Sequence, residues 1–295
     1  MMRITQKSMF ASFMRDVNKN RGEMAEIQSD LSSGREVRRP SQDPVSFQSS
    51  RIIEGNIEKN NQFQSNINSG LRQGRLAQEA MDGVIDALIQ VKDIMVKGAS
   101  DTVGESEREA MADEISGIRN QIVDSMNAQY GDRYLFAGTN SGVKPFEVTA
   151  GVVTSNSNDK APHIVAADGV EIDISITGQE MTGTDAGDLF DIIGNIEDAL
   201  RNNDDQALND LLPDSDEAIE HVTDLTSKLG DNINRMDFMF EQYESTKITQ
   251  ESDVSELVDT NYAEAFSRLQ RNQVAYESAM AAHSKMFKNV LLNYI

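Results

Sequence analysis

The sequence predicts a mainly α fold: a long antiparallel helical rod with terminal coiled-coil helices, a β-hairpin and a small β-rich insert. Three observations carry this expectation. Both ends hold large side chains at heptad spacing. Near the start these are Phe10, Val17, Met24 and Leu31, with Phe13 and Ile27 interleaved. Near the finish they are Phe266, Gln273, Met280, Phe287 and Tyr294, interleaved with Tyr262, Leu269, Tyr276, His283 and Val290. A seam of that period calls for a partner helix along its length. Second, Ile67, Gly70, Gly74, Ala77, Met81, Val84, Leu88, Val91 and Met95 advance by alternating steps of three and four, the stripe of a long helix. Third, the period shortens to two at Val170, Ile172, Ile174 and Ile176, which alternate with Glu171, Asp173 and Ser175 as a half-buried strand does.

The elements follow in order. The first helix spans about Gln6 to Ser32 and stops at Gly34, a residue suited to a left-handed helix end. The link Arg38 to Pro44 carries two prolines four apart and breaks helix. The second helix has Gly70 and Gly74 on its inward stripe, which permits close approach of a neighbour at a cost in helix stability. Gly98 to Gly104 ends it. A third helix aligns Met111, Ile115, Ile118, Ile122 and Met126. Tyr134 to Phe136 and Phe146 to Val148, around a Gly/Asn/Ser loop, read as a hairpin. Helix resumes at about Ala186, capped by Thr184 or Asp185. A further long helix carries Val222, Leu225, Leu229, Met236, Phe240 and Tyr243. The expected division is a split terminal domain (1–50 and 252–295), a helical rod (51–149 and 186–251, with its hairpin near 134–148) and an exposed β insert (150–185).

Charge separates the ends from the middle. The 295 residues carry a net charge of −22. Residues 1–40 hold 8 basic and 5 acidic side chains and residues 254–295 hold 4 of each, while 41–253 hold 15 and 40. Near-neutral ends can crowd beside identical ends, and the acidic middle suits a solvated exterior. The balance argues against binding nucleic acid or an anionic membrane surface. There is no cysteine, hence no disulfide, thiolate metal site or thiol nucleophile. No apolar run reaches the roughly 20 residues of a membrane span. Met1 to Lys7 lack the apolar core of a secretory signal, so the expected export route cleaves none.

Catalytic and metal-binding patterns are weak, and the expectation is no enzyme, no cofactor and no metal. His163, His221 and His283 have no partner at metal-ligand spacing and read as packing or surface residues. His283 in the terminal seam can help set register. Asp214-Ser215-Asp216-Glu217 lacks the glycine and distal glutamate of a calcium loop and reads as the charged start of a helix. Asn202 to Asp205 reads as a turn. Gly183 to Gly187 lacks the lysine of a phosphate loop, and no Gly-x-Ser-x-Gly elbow occurs. The methionines on helical stripes read as core.

Several segments resemble the flagellin family. Leu31-Ser32-Ser33-Gly34-Arg35 looks like its Leu-Ser-Ser-Gly-Lys/Arg signature, and Pro40 to Ser46 resembles the spoke that follows. Ile57 to Gly138 is similar to its paired inner helices. Two departures point from filament flagellin toward the family's hook–filament junction members. Arg133-Tyr134-Leu135-Phe136-Ala137-Gly138-Thr139 stands where flagellins usually show Phe-Asn-Gly, and the last residues, Asn289 to Ile295, lack a proline. Asp43-Pro44 also looks like the junction type. The resemblance implies a structural subunit of the bacterial flagellum, exported through the flagellar type III channel. It implies terminal helices that order on assembly into an inner coiled-coil tube. The implied partners are copies of the chain, a hook-side junction protein (hook-associated protein 1), flagellin and an export chaperone. Filament flagellin itself and a cytosolic coiled-coil scaffold are the alternatives; an enzyme in the β insert has little support.

Overall fold

The computed structural model describes residues 6–100, 102–149 and 151–292, with side-chain surroundings for those lying within 8–285. The chain divides into two compact units, one of residues 1–59 with 246–295 and one of residues 60–245. In order the elements are α1 (Gln6–Ser33), α2 (Pro44–Gly98), α3 (Glu105–Met126), β1 (Gln129–Tyr130), β2 (Arg133–Tyr134), β3 (Phe146–Thr149), β4 (Val152–Ser155), β5 (His163–Ala167), β6 (Val170–Asp173), α4 (Gly178–Thr182), β7 (Gly183–Thr184), β8 (Gly187–Asp188), α5 (Leu189–Arg201), α6 (Asp205–Asp210), α7 (Leu212–Val258) and α8 (Tyr262–Leu292).

The 60–245 unit is built on antiparallel α2 and α7. Every member of the predicted α2 stripe from Ile67 to Met95 is buried, and Val222, Leu225, Leu229 and Met236 of α7 join the same core. A Cβ placed on Gly70 would lie 2.8 Å from Ile164 Cδ1 and 3.0 Å from Met236 Sδ, so glycine there lets both α7 and β5 close on the helix. Ile115, Ile118, Ile122 and Met126 of α3 are buried against the core, which α5 completes with Leu189, Ile192, Ile193, Ile196 and Leu200. Each fully buried aliphatic side chain contributes about 1.5–3 kcal/mol.

Among the described residues the strands form four separate antiparallel pairs, and here the structure corrects the sequence reading. Tyr134 does not pair with the segment beginning at Phe146. It sits in the two-residue ladder with Gln129, and β3 pairs with β4 across a short turn at Gly151, whose φ is +85°. Leu135, Phe136 and Ala137 are buried as an irregular plug: the Ser175 hydroxyl donates to Leu135 O at 2.7 Å and Gly178 N to Phe136 O at 2.7 Å. The alternation after Val170 also ends early. β6 stops at Asp173, and Ile174, Ser175 and Ile176 are all buried, because a plug and a core close on both sides of them. Helix resumes at Leu189 rather than Ala186. Gly183–Thr184 and Gly187–Asp188 pair first, and the Asp188 carboxylate accepts from Phe190 N at 2.9 Å as the N-cap.

The buried charged side chains described in this unit, Arg108 and Arg119, both have ionic partners. Arg108 is 3 % exposed and reaches Gly98 O (2.9 Å), Ser100 O (3.1 Å), Asn203 Oδ1 and the Asp205 carboxylate, tying α3 to the 98–104 loop and α6. Arg119 pairs with Glu197 at 2.8 Å between α3 and α5.

Proline is tolerated at the start of α2 because it occupies the first helical position, where no N–H partner is needed. Asp43 precedes it, its carboxylate accepting from Val45 N (3.0 Å), Ser46 N (3.2 Å) and Ser46 Oγ (2.7 Å). The Ser46 hydroxyl and amide hold the Asp43 carboxyl below its ordinary value of 3.8. A depressed value means the cap is present above the unfolded pKa and is lost as pH falls through the folded one. Acid titration followed by amide NMR should therefore show the Val45 and Ser46 signals shifting only below the usual aspartate range. Asp43→Ala should abolish that titration and fray the first turn at neutral pH.

Candidate functional site

The antiparallel pair α1 and α8 holds most of the residues that the heptads single out. A small cluster of Ile27, Ala265 and Leu269 is buried, with Met24 and Leu31 packed against it. Val17 is buried on the same face of α1. Toward the other end, Phe13 stacks on His283 with ring centroids 4.0 Å apart and planes 15° from parallel, and Phe10 lies tilted at 5.6 Å from the same ring. Tyr276 is half-buried.

α8 does not turn its whole heptad set toward α1. Residues Ala265, Leu269, Asn272, Tyr276, Ala279 and His283 form the less exposed stripe, again at steps of four and three. Tyr262, Phe266 and Met280 are 54 %, 57 % and 46 % exposed, and Gln273 is exposed beside them. Small alanines, not the bulky neighbours one residue away, meet α1. The large side chains thereby form a second apolar stripe, open to solvent in the single chain. On α1, Met9, Phe10 and Met14 are likewise 40–47 % exposed. Of the remaining seam residues, Phe287 and Val290 lie on α8 with side chains outside the described set, and Tyr294 lies outside the described residues.

The signature Leu31 to Arg35 ends α1 and starts a clamp that the heptads did not signal. Gly34 has φ +72°, and a Cβ there would meet the Tyr262 hydroxyl at 3.1 Å. Gly34 N donates to Asp30 O at 2.8 Å, and Thr260 N donates back to Gly34 O at 2.9 Å. Arg35 and Asp259 form an antiparallel bridge, with Glu36 N and Val37 N both donating to Val258 O. Asp30 sits at the centre. Its backbone oxygen accepts from Thr260 Oγ1 at 3.2 Å, and its carboxylate takes the Arg38 guanidinium, which also reaches Ser29 Oγ. Gln42 Oε1 accepts from Arg38 N and Arg39 N, and Arg35 reaches Glu54 at 3.2 Å. Ser32 and Ser33 donate to backbone oxygens one turn earlier in α1. Asp30, Arg38 and Thr260 escaped the sequence reading because polar residues at a helix end and in a link have no periodic signal. The Leu31–Arg35 signature, with Gly34 at its helix end, marked the place.

The second signature, Arg133 to Thr139, belongs to the 60–245 unit. Arg133 and Tyr134 form β2, Leu135 to Ala137 are the buried plug, and Gly138 turns with φ +70° beside Asn158, whose side chain bridges Thr139 N and Oγ1. A cleft of about 510 Å³ opens beside it, lined by Asn66, Gln73, Arg133, His163 and Ser175 among others. The histidines hold separate places: His163 faces Glu171 at 3.5 Å, His221 Nε2 lies 2.8 Å from Glu180 O, and His283 is in the terminal pair. Among the described residues no three His, Cys, Asp or Glu side chains gather to hold a metal ion, and no helix is long and apolar enough to cross a membrane.

Comparison with known proteins agrees with this arrangement. Residues 4–141 match the bacterial flagellin N-terminal helical region and residues 213–295 the bacterial flagellin C-terminal helical region. The chain is 21 % identical over 307 residues to flagellar hook-associated protein 3 of Salmonella typhimurium, covering 97 % of each. Among solved structures it is similar to a flagellar hook-associated protein from Vibrio parahaemolyticus, with TM-score 0.68 and 22 % identity over 74 % of this chain and all of that one. It is also similar to the flagellar junction protein FlgL from Legionella pneumophila, with TM-score 0.61 and 13 % identity over 72 % of this chain and all of that one. The chain belongs to the flagellin family, a family of structural flagellar proteins rather than enzymes.

Proposed function

We propose that this chain is the structural subunit that joins hook to filament in the bacterial flagellum. The observation that carries the reading is similarity running end to end with a curated relative named hook-associated protein 3, including both terminal regions. The open apolar stripe Tyr262–Phe266–Met280 supports a role in which α8 meets further subunits after it has met α1. The subunits then stack by heterologous contacts on a helical lattice. The partners in this reading are other copies of the chain, a hook-side junction protein, flagellin, and a chaperone that holds the exported chain. Export in this reading runs through the flagellar type III channel.

Deletion of the gene tests the reading. It should leave cells non-motile, with hooks that carry no filament and flagellin monomer in the medium. Motile cells with ordinary filaments would refute the junction role. Loss of the filament protein itself, with nothing secreted in its place, would point to filament flagellin instead.

The same reading expects the terminal pair to be the weakest part of the free chain. Among the described residues its buried cluster is three side chains with two more against it, whereas the 60–245 unit has a continuous core. Hydrogen exchange on the purified monomer should be fast throughout α1 and α8 and slow for Ile67–Met95 of α2. Equal protection of both would contradict assembly-linked ordering.

A further inference from the structure

The seam of α1 steps through Phe13, Val17, Met24, Ile27 and Leu31, and one position of the pattern is missing from that series: Asn20, midway between Phe13 and Ile27. Its Oδ1 is buried and receives no hydrogen bond among the described residues. A leucine would continue the seam without interruption. An amide whose acceptor is shut away from water weakens the pair it sits in. That cost needs a compensating role, and coiled coils offer one, because a lone polar residue in an apolar seam selects one register over its neighbours.

The contacts on either side define the register in question. Phe13 stacks on His283, and the Glu23 carboxylate accepts from Asn272 Nδ2 at 3.4 Å. Between them, antiparallel pairing sets Asn20 at the level of Tyr276. Sliding α1 by one heptad in one direction would bring Asn20 to the level of Leu269, inside the Ile27–Ala265–Leu269 cluster. There the amide would displace the most apolar contact of the pair. The cost of Asn20 is therefore smaller in the observed register, which the Arg35–Asp259 bridge also holds, than in that slipped one.

We propose that Asn20 is a specificity-determining residue that holds α1 and α8 in a single register at the expense of their stability. It keeps the apolar ends from closing out of step before they meet other subunits. The inference rests on the α1–α8 pairing and not on the junction role, so it is tested on the free chain.

The protein has no cysteine, which makes cross-linking a clean readout. Two full-length double variants report register: Glu23→Cys with Asn272→Cys for the observed one, and Glu23→Cys with Ala265→Cys for the slipped one. At concentrations where the chain is monomeric, oxidation should close only the first pair while Asn20 is present. In the Asn20→Leu background both pairs should close, and amide exchange across α1 and α8 should slow several-fold. Asn20→Gln, which keeps the amide, should restore the single cross-link. The proposal is overturned if Asn20→Leu still closes only the first pair, if it speeds exchange, or if Asn20→Gln behaves as Asn20→Leu does.

Discussion

Full-length chain carrying Arg108→Met is expected to lose about 3 kcal/mol of unfolding free energy in a urea melt followed by circular dichroism. Methionine keeps most of the buried volume but makes none of the hydrogen bonds. Gly98 O then remains buried without its Arg108 donor, Ser100 O keeps only the bond from Val103 N, and Asp205 loses the cation it faces. The comparison is Arg201→Met. Arg201 reaches Asp113 and Glu197 at 2.7 and 3.2 Å, but its side chain is 39 % exposed, and its loss should cost under about 1 kcal/mol. Equal effects of the two substitutions would show that the Arg108 node does not secure the 98–104 loop.

The second large effect concerns the two faces of the terminal pair. Ile27→Asp places a carboxylate in the only buried cluster described between α1 and α8, close to Glu26 and Asp30. An ion without a counterpart in that place is disfavoured strongly enough to separate the helices. Swimming should be abolished, and exchange in residues 262–285 of the monomer should rise to that of an unprotected chain. Phe266→Asp makes the opposite separation. Phe266 is 57 % exposed in the single chain, so the monomer should keep its exchange pattern while swimming is lost. If Phe266→Asp swims normally, the open stripe of α8 is not an assembly surface.

The long helices were legible because one physical rule determined them. Ile67 to Met95 had to face a neighbour every three or four residues, and the stripe predicted from spacing is the stripe that is buried. The same rule stopped short at α8. Heptad counting selects the largest side chains, here Phe266 and Met280, whereas a close-packed helix pair also accepts Ala265 and Ala279. Spacing shows that two apolar stripes exist; it does not show which one is turned inward in a single chain. The strands failed for another reason. Tyr134-Leu135-Phe136 is as apolar as a strand, but its backbone groups bond to Ala128, Ser141, Ser175 and Gly178 instead of to one neighbouring strand. Val152 to Ser155, which does pair, is short and half polar. Helix α5 began three residues later than expected because Gly187 and Asp188 belong to a turn-sized ladder whose last residue is the better cap.

The bridge of Arg35 to Asp259, with Thr260 on Asp30, joins positions some 220 to 230 residues apart. It therefore has a consequence for timing. α1 is made more than two hundred residues before α8, so the pair has to wait until α8 has also been made. Closing so long a loop from a fully random chain costs about 3 kcal/mol more than closing one of ten residues. Collapse of residues 60–245 removes most of that penalty beforehand, since Phe63 and Tyr243 then lie with ring centroids 5.9 Å apart and only short segments remain to be closed. The terminal pair is thus expected to be the last contact to form, and a chain arrested before that step would have the core of residues 60–245 built with α1 and α8 unpaired.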